Sequence, residues 1–427
     1  MAGTLRDYHG NECRDDRKHK KRNRADKFSE TAGKAPSIPV LRGQGAALYG
    51  RRARDENIMS AIQASHREEL DHARAVQLWL YAVAALVFAM VLVGGATRLT
   101  ESGLSITEWQ PVTGTLPPLN ETQWRAEFEK YRAIPQYWQL NAGMSLADFK
   151  TIYWWEWVHR IIGRVIGAVF FVPFVWFLWR GRVPHNRRAG LWMILTLGAL
   201  QGAIGWWMVA SGLAERVEVS QYRLATHLIL ACLIYGALVW TGTRWQNERE
   251  QSLFGKSGKA AQPVTVQTGA IGLVVLLLAQ IYLGALVAGL RAGHVYNTWP
   301  LIDGGLVPQS SRLFFEVPLW RNFFENSLTV QFDHRVLGYV IVLLALLQLF
   351  NVAKLVKPDP VFTSAGLVAA AVIAQVALGI WTLLSVAALP LALVHQASAM
   401  ITLTLAVIHA STTVPAKVSE RTEPSLR

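Results

Sequence analysis

The apolar positions of this chain gather into runs long enough to cross a bilayer, which takes about 20 helical residues. Eight runs, at about 77–97, 154–179, 189–211, 221–241, 266–290, 331–351, 361–384 and 390–412, predict eight membrane-spanning helices. Pro390 opens the last run, and proline is tolerated in a first helical turn. The polar segments between the runs alternate in charge. Arg180, Arg182, Arg187 and Arg188 follow the second run, Arg244, Arg249, Lys256 and Lys259 the fourth, and Lys354 and Lys357 the sixth. The positive-inside rule then puts both termini in the cytoplasm and the long loops 98–153 and 291–330 outside. In the first of these loops, Asn120-Glu121-Thr122-Gln123 reads as a helix start, followed by Trp124, Phe128 and Tyr131 on one apolar face. That helix either lies on the membrane surface or packs on the loop itself. Ser145 to Asp148 is a second capping box leading into the second span.

Composition sharpens the class. The chain is 52% hydrophobic and 17% charged, against about 25% charged for soluble proteins. Charge is concentrated in residues 1–76, which hold 16 of the Lys and Arg residues. A soluble domain, a disordered protein and an ordinary nucleic-acid binder are excluded. The two cysteines, Cys13 and Cys232, exclude a disulfide framework, a cysteine zinc site and an iron–sulfur cluster. The basic run Arg17 to Arg24 is expected to be part of a solvated, disordered cytoplasmic tail over 1–76. No apolar stretch marks a secretory signal there, and its acidic residues argue against a mitochondrial transit peptide.

The halves repeat each other. Gly94 to Arg98 at the end of span 1 matches Gly284 to Arg291 at the end of span 5. Thr107-Glu108-Trp109-Gln110-Pro111 matches Thr298-Trp299-Pro300, and Glu156-Trp157-Val158-His159-Arg160 matches Gln331-Phe332-Asp333-His334-Arg335. Gln201 to Trp206 matches Gln375 to Trp381, and spans 4 and 8 each carry one histidine, His227 and His395. Four spans per unit is an even number, so the repeat is parallel, about an axis along the membrane normal. The predicted fold is all-α and polytopic. It has two tandem, pseudo-symmetric four-helix bundles, at 77–245 and 266–412, before a short tail at 413–427.

Ionisable side chains inside spans are costly and usually functional. His159, His227, His334 and His395 sit towards the outer ends of even-numbered spans, one pair per half. Two imidazoles facing each other across a bundle can clamp a planar macrocycle, one on each face of its iron. A zinc site would want three or four ligands close together. His409 has no repeat partner and reads as structural, while His185 and His294 lie in loops. Gly163, Gly205, Gly338 and Gly379 are small enough for a helix or a flat ligand to come close. Arg98, Arg160, Arg291 and Arg335 are candidates for anionic haem propionates or for interface anchoring. Glu156 shares a helix face with His159, and its counterpart is Gln331. A carboxylate in one half only suggests a reaction site in the first half and an electron-transfer haem in the second. Gln331 also suggests that the helix tolerates an amide at that position.

These segments, with Gly94 to Ser105, resemble haem A synthase over residues 77–412, in its alphaproteobacterial and mitochondrial branch. Many bacterial relatives carry paired cysteines in the outer loops, and loop 98–153 has none. The resemblance implies an oxidoreductase that converts the C8 methyl of haem O to the formyl of haem A, through hydroxylated intermediates, for cytochrome c oxidase assembly. It implies His159 and His227 around the substrate haem, Glu156 as the functional carboxylate, and His334 and His395 as ligands of a resident haem b. It implies a haem O synthase partner and a bacterial inner membrane, or alternatively a mitochondrial inner membrane. No nucleic acid is implied, a homo-oligomer is compatible, and the electron donor is unidentified. Two rivals remain: a di-haem electron-transfer cytochrome, which has no need of Glu156, and a haem or metal transporter, whose site is expected nearer the midplane.

Overall fold

The computed structural model describes residues 44–110, 113–214, 216–254, 262–356 and 360–415. Four long helices come first: α1 (Gln44–Leu99), then, after the short α2 (Glu121–Arg132) and α3 (Pro135–Leu140), α4 (Leu146–Trp179), α5 (His185–Ala210) and α6 (Gln221–Phe254). The second set opens with α7 (Val264–Gly289). Three four-residue helices follow, α8 (Ala292–Val295), α9 (Ser310–Leu313) and α10 (Asn322–Glu325). It closes with α11 (Ser327–Leu355), α12 (Pro360–Leu384) and α13 (Leu389–Thr413). Eight helices are long and apolar enough to span a membrane, and no strand occurs among the described residues.

Each predicted span lies in one of these helices to within one residue, but most helices run past the apolar stretch into polar sequence. The largest correction is at the start. Residues 44–76 are helical, not part of a disordered tail; residues 1–43 lie outside the described residues. From Arg51 to Val76 the sequence has no Gly or Pro and is rich in Ala, Arg and Glu, which favour helix whether or not they are apolar. Glu68 and His72 add a contact one turn apart.

The second four helices close a ring, α7 on α11, α11 on α12, α12 on α13 and α13 on α7. In the first four, α4 packs on α5 and α5 on α6. Helix α1 closes this ring through Trp79, whose indole donates to the Val169 carbonyl of α4 at 2.8 Å, and through Tyr81, whose hydroxyl meets Thr243 of α6 at 3.3 Å. The rings meet along α6, α7 and α13, where Tyr235 and Thr404 share a hydrogen bond of 2.6 Å and one apolar core runs through both. Outward-facing side chains such as Leu343, Phe350, Leu367 and Ile373 are exposed, as a lipid-facing surface requires.

The loop after α1 is a packed lid on the first ring. Asn120 caps α2 by accepting from the Gln123 N–H at 2.9 Å, and the Gln123 side chain accepts from Leu119 N–H at 2.6 Å. The apolar face of α2 buries Trp124 and Tyr131 against Phe149 and Tyr153 of α4. Of the two placements left open for this helix, packing within the chain is the one adopted. The Ser145–Asp148 capping box is formed and lets α4 start ahead of its apolar run.

Candidate functional site

The four paired histidines, His159, His227, His334 and His395, meet one local design. Gly94, Gly205, Gly284 and Gly379 each lie five residues before the end of a long helix, at Leu99, Ala210, Gly289 and Leu384. Each glycine faces a histidine of the next spanning helix. A Cβ on Gly94 would lie 3.0 Å from the His159 ring, on Gly205 3.0 Å from His227, on Gly284 3.2 Å from His334, and on Gly379 2.9 Å from His395. Such contacts leave no room for a side chain, so glycine is what lets each ring settle against the neighbouring backbone. The sequence picked out Gly205 and Gly379 but missed this role for Gly94 and Gly284.

Three of the four rings are also met by a glutamine one turn before the glycine. Gln201, Gln280 and Gln375 donate their amides to the backbone carbonyls of His227, His334 and His395 at 3.0, 2.8 and 3.0 Å. The same amide nitrogens lie 3.3, 3.3 and 3.2 Å from a ring nitrogen. At His159 the corresponding residue is Met90. Its Cε lies 3.4 Å from where a Cβ would project from Gly163, as the Gln280 amide nitrogen does from Gly338. The His159 ring makes no hydrogen bond among the described residues.

In each half the two histidines stand on the second and fourth spanning helices, His159 on α4 with His227 on α6, and His334 on α11 with His395 on α13. The fit to a bis-histidine haem can be judged on the polar atoms left over. His227 Nδ1 and His334 Nδ1 are buried without partners, as are the Oε1 atoms of Gln201, Gln280 and Gln375. Buried polar atoms without partners are rare and point to a missing ligand. A metal-bound imidazole needs one nitrogen free for the metal, and the buried, unpartnered Nδ1 atoms of His227 and His334 meet that need in each half. No group of three or more His, Cys, Asp or Glu suited to a bare metal ion occurs among the described residues.

Glu156, 2% exposed, is fully engaged. Its Oε2 accepts from Ser105 Oγ and Ile106 N–H, both at 2.8 Å, and its Oε1 accepts from Arg160 Nε at 3.1 Å and Nη2 at 2.7 Å. Arg160 also donates to the carbonyls of Ile106 and Glu108 at 2.8 and 3.0 Å. The second half inverts part of this arrangement. Gln331 donates to the Tyr296 carbonyl at 2.8 Å, where the first half has an N–H facing a carboxylate. Tolerance of Gln at 331 therefore does not carry over to 156, because the loop backbones present opposite groups.

The four arginines separate into two kinds. Arg98 pairs with Glu218 at 2.7 Å, and Arg291 pairs with both Glu218 and Glu101 across the two halves, so these cations are already balanced by the chain. Arg160 is balanced by Glu156. Arg335 donates to the carbonyls of Thr298, Tyr296 and Leu301 at 2.8, 3.3 and 3.4 Å, and has no carboxylate partner among the described residues. His409 is tied at both ring nitrogens, to Gln348 at 3.0 Å and Ser364 at 2.8 Å, in keeping with a structural role.

A duplicated eight-span helical membrane protein, with one histidine pair held in each four-helix half, is the class that fold and site define. Residues 77–407 match the family model COX15-CtaA, described as cytochrome oxidase assembly protein, and the chain belongs to this family. It is similar to the protein named Heme A synthase of Rhodopseudomonas palustris strain TIE-1, 56% identical over 333 residues, covering 78% of this chain and 87% of the relative. The protein of that name from Bradyrhizobium sp. strain BTAi1 is 55% identical over 347 residues, covering 81% and 93%. That of Bradyrhizobium diazoefficiens is 54% identical over 358 residues, covering 82% and 94%.

Proposed function

We propose that this protein is a haem A synthase of a bacterial inner membrane, with both termini cytoplasmic. It oxidises the C8 methyl of haem O to a formyl group through a hydroxymethyl intermediate. The observation that carries this reading is the fourfold histidine–glycine contact in a chain of this family. His159 and His227 take haem O in the first bundle, 77–245, and His334 and His395 hold haem b in the second, 266–412. Haem b, when bound, supplies one-electron relay. Haem O is apolar and reaches the first bundle through the membrane from a haem O synthase.

The chain's own residues then have separable tasks. The glycines bring the rings to one depth, and the glutamines hold three of them. Glu156 keeps the Ser105–Ile106 segment and Arg160 over the first ring. It must release one of its four donors, from the Ser105–Ile106 loop or from Arg160, before it can take a proton. Arg335 is the arginine best placed to meet a propionate, because its charge is not already matched.

Reduced-minus-oxidised spectra of the purified protein should show b-type bands, most of which His334→Ala or His395→Ala removes. Unchanged haem content in both variants would overturn the ligand assignment. Extracting haem from cells with and without the protein separates this reading from a di-haem cytochrome or a transporter, neither of which produces haem A.

A further inference from the structure

We propose that Met90 makes His159 the exchangeable ligand of the first pair, and that the glutamines opposite the other three histidines are positioning residues that keep those ligands in place. The inference rests on the reading of both pairs as haem sites. The two halves can be compared atom by atom here. Gly94, His159 and Gly163 occupy the places of Gly284, His334 and Gly338, and the Met90 methyl occupies the place of the Gln280 amide. A thioether cannot donate to a carbonyl, so the bond from Gln280 to the His334 backbone has no counterpart at His159. The amide nitrogens of Gln201, Gln280 and Gln375 also lie 3.3, 3.3 and 3.2 Å from a ring nitrogen, so each glutamine holds the backbone and the ring of its histidine together. A partner of this kind orients a ligating ring, and the loss of such an outer contact typically costs about 10–100-fold in metal affinity.

The distribution matches what each site has to do. A resident haem must stay, and both ligands of the second pair have a glutamine. A substrate haem must enter and its product must leave, and the first pair has one braced ring, His227, and one unbraced ring, His159. His227 then anchors the macrocycle while His159 releases and rebinds it.

The test uses the full-length protein in detergent, loaded with ferric protoporphyrin haem and mixed with excess apomyoglobin as acceptor. Transfer should occur in two phases, the faster lost in His159→Ala and the slower in His334→Ala. The faster should exceed the slower by at least about tenfold. Met90→Gln should slow the fast phase about tenfold. Gln280→Met should speed the slow phase by a similar factor, and it decides the matter alone if Met90→Gln does not fold. A fast phase belonging to the second pair, or variants that bind haem with unaltered transfer rates, would overturn the inference while leaving the haem sites standing. Full haem content in both His159→Ala and His334→Ala would remove the reading on which it rests.

Discussion

The two halves of the molecule share helix order, glycine spacing and histidine placement, and they part beside one ring. At His334 the neighbours are Gln280 and Gln331; at His159 they are Met90 and Glu156. Divergence has left the candidate ligands alone and altered the groups that hold them. The Glu156 and Gln331 difference has two layers. One is the loop backbone: Ile106 turns an N–H towards position 156 and Tyr296 turns a carbonyl towards position 331. An acceptor side chain suits the first and a donor suits the second. The other is charge, since the first half pairs a buried carboxylate with an arginine, Glu156 with Arg160, and the second has the neutral Gln331 in that place.

Removing each arginine sharpens that contrast most. Arg160→Ala strands the Glu156 charge, whose side chain is 3% exposed, and should cost about 3–5 kcal/mol. Arg335→Ala removes bonds to carbonyls and strands no charge, so about 1–2 kcal/mol is expected. Denaturant unfolding of both variants in one detergent checks the ranking, and equal losses would erase the electrostatic difference between the halves.

Glu156→Gln should lower the conversion of haem O to haem A at least about tenfold, the low side of a lost acid–base contribution. Haem in the second bundle should be retained. Chromatography of extracted haems should show haem O or a hydroxylated intermediate accumulating, and full haem A production would reduce Glu156 to a clamp on the loop. Gln331→Ala should cost about 1 kcal/mol through the lost bond to Tyr296, with a smaller effect on the haem A yield.

The starts of α4 and α11 allow a milder comparison. Ser145→Ala removes an exposed cap and should cost about 1 kcal/mol. Asn326→Ala should cost about 2 kcal/mol. Asn326 is buried, and its side chain also donates to the carbonyls of Arg312 and Leu313. Thermal unfolding of the two variants should keep that order.

The smallest expected effect is a pH dependence of the tie between halves at Tyr222 and Glu325, which meet at 2.8 Å. The hydrogen bond from Arg321 holds the Glu325 carboxyl below the usual carboxylate range. A carboxylate with a depressed folded-state value contributes stability that is complete above its unfolded value and lost as pH falls through the folded one. Stability should therefore slip slightly on acidification below about pH 4. Glu325→Gln should flatten that slope, and an unchanged slope would show that the tie contributes nothing.

The sequence alone was enough to place eight spans, and to suggest a duplication with His159, His227, His334 and His395 as candidate ligands, because each depends on local quantities. A run of apolar residues, a helical period and a repeated order can be read without knowing which helix touches which. The helical extensions over 44–76 and at the start of α4 were harder to see, since hydrophobicity marks the part of a helix that lies in lipid and not where the helix ends. Only the tertiary structure decided that Gln280 reaches the His334 carbonyl, that Met90 stands in its place at His159, and that Glu156 is saturated by Ser105, Ile106 and Arg160. The balancing of Arg98 and Arg291 by Glu218 and Glu101 was equally invisible along the chain. Each of these contacts joins residues from 4 to 190 positions apart, and its geometry is set by how helices and loops from both halves pack together.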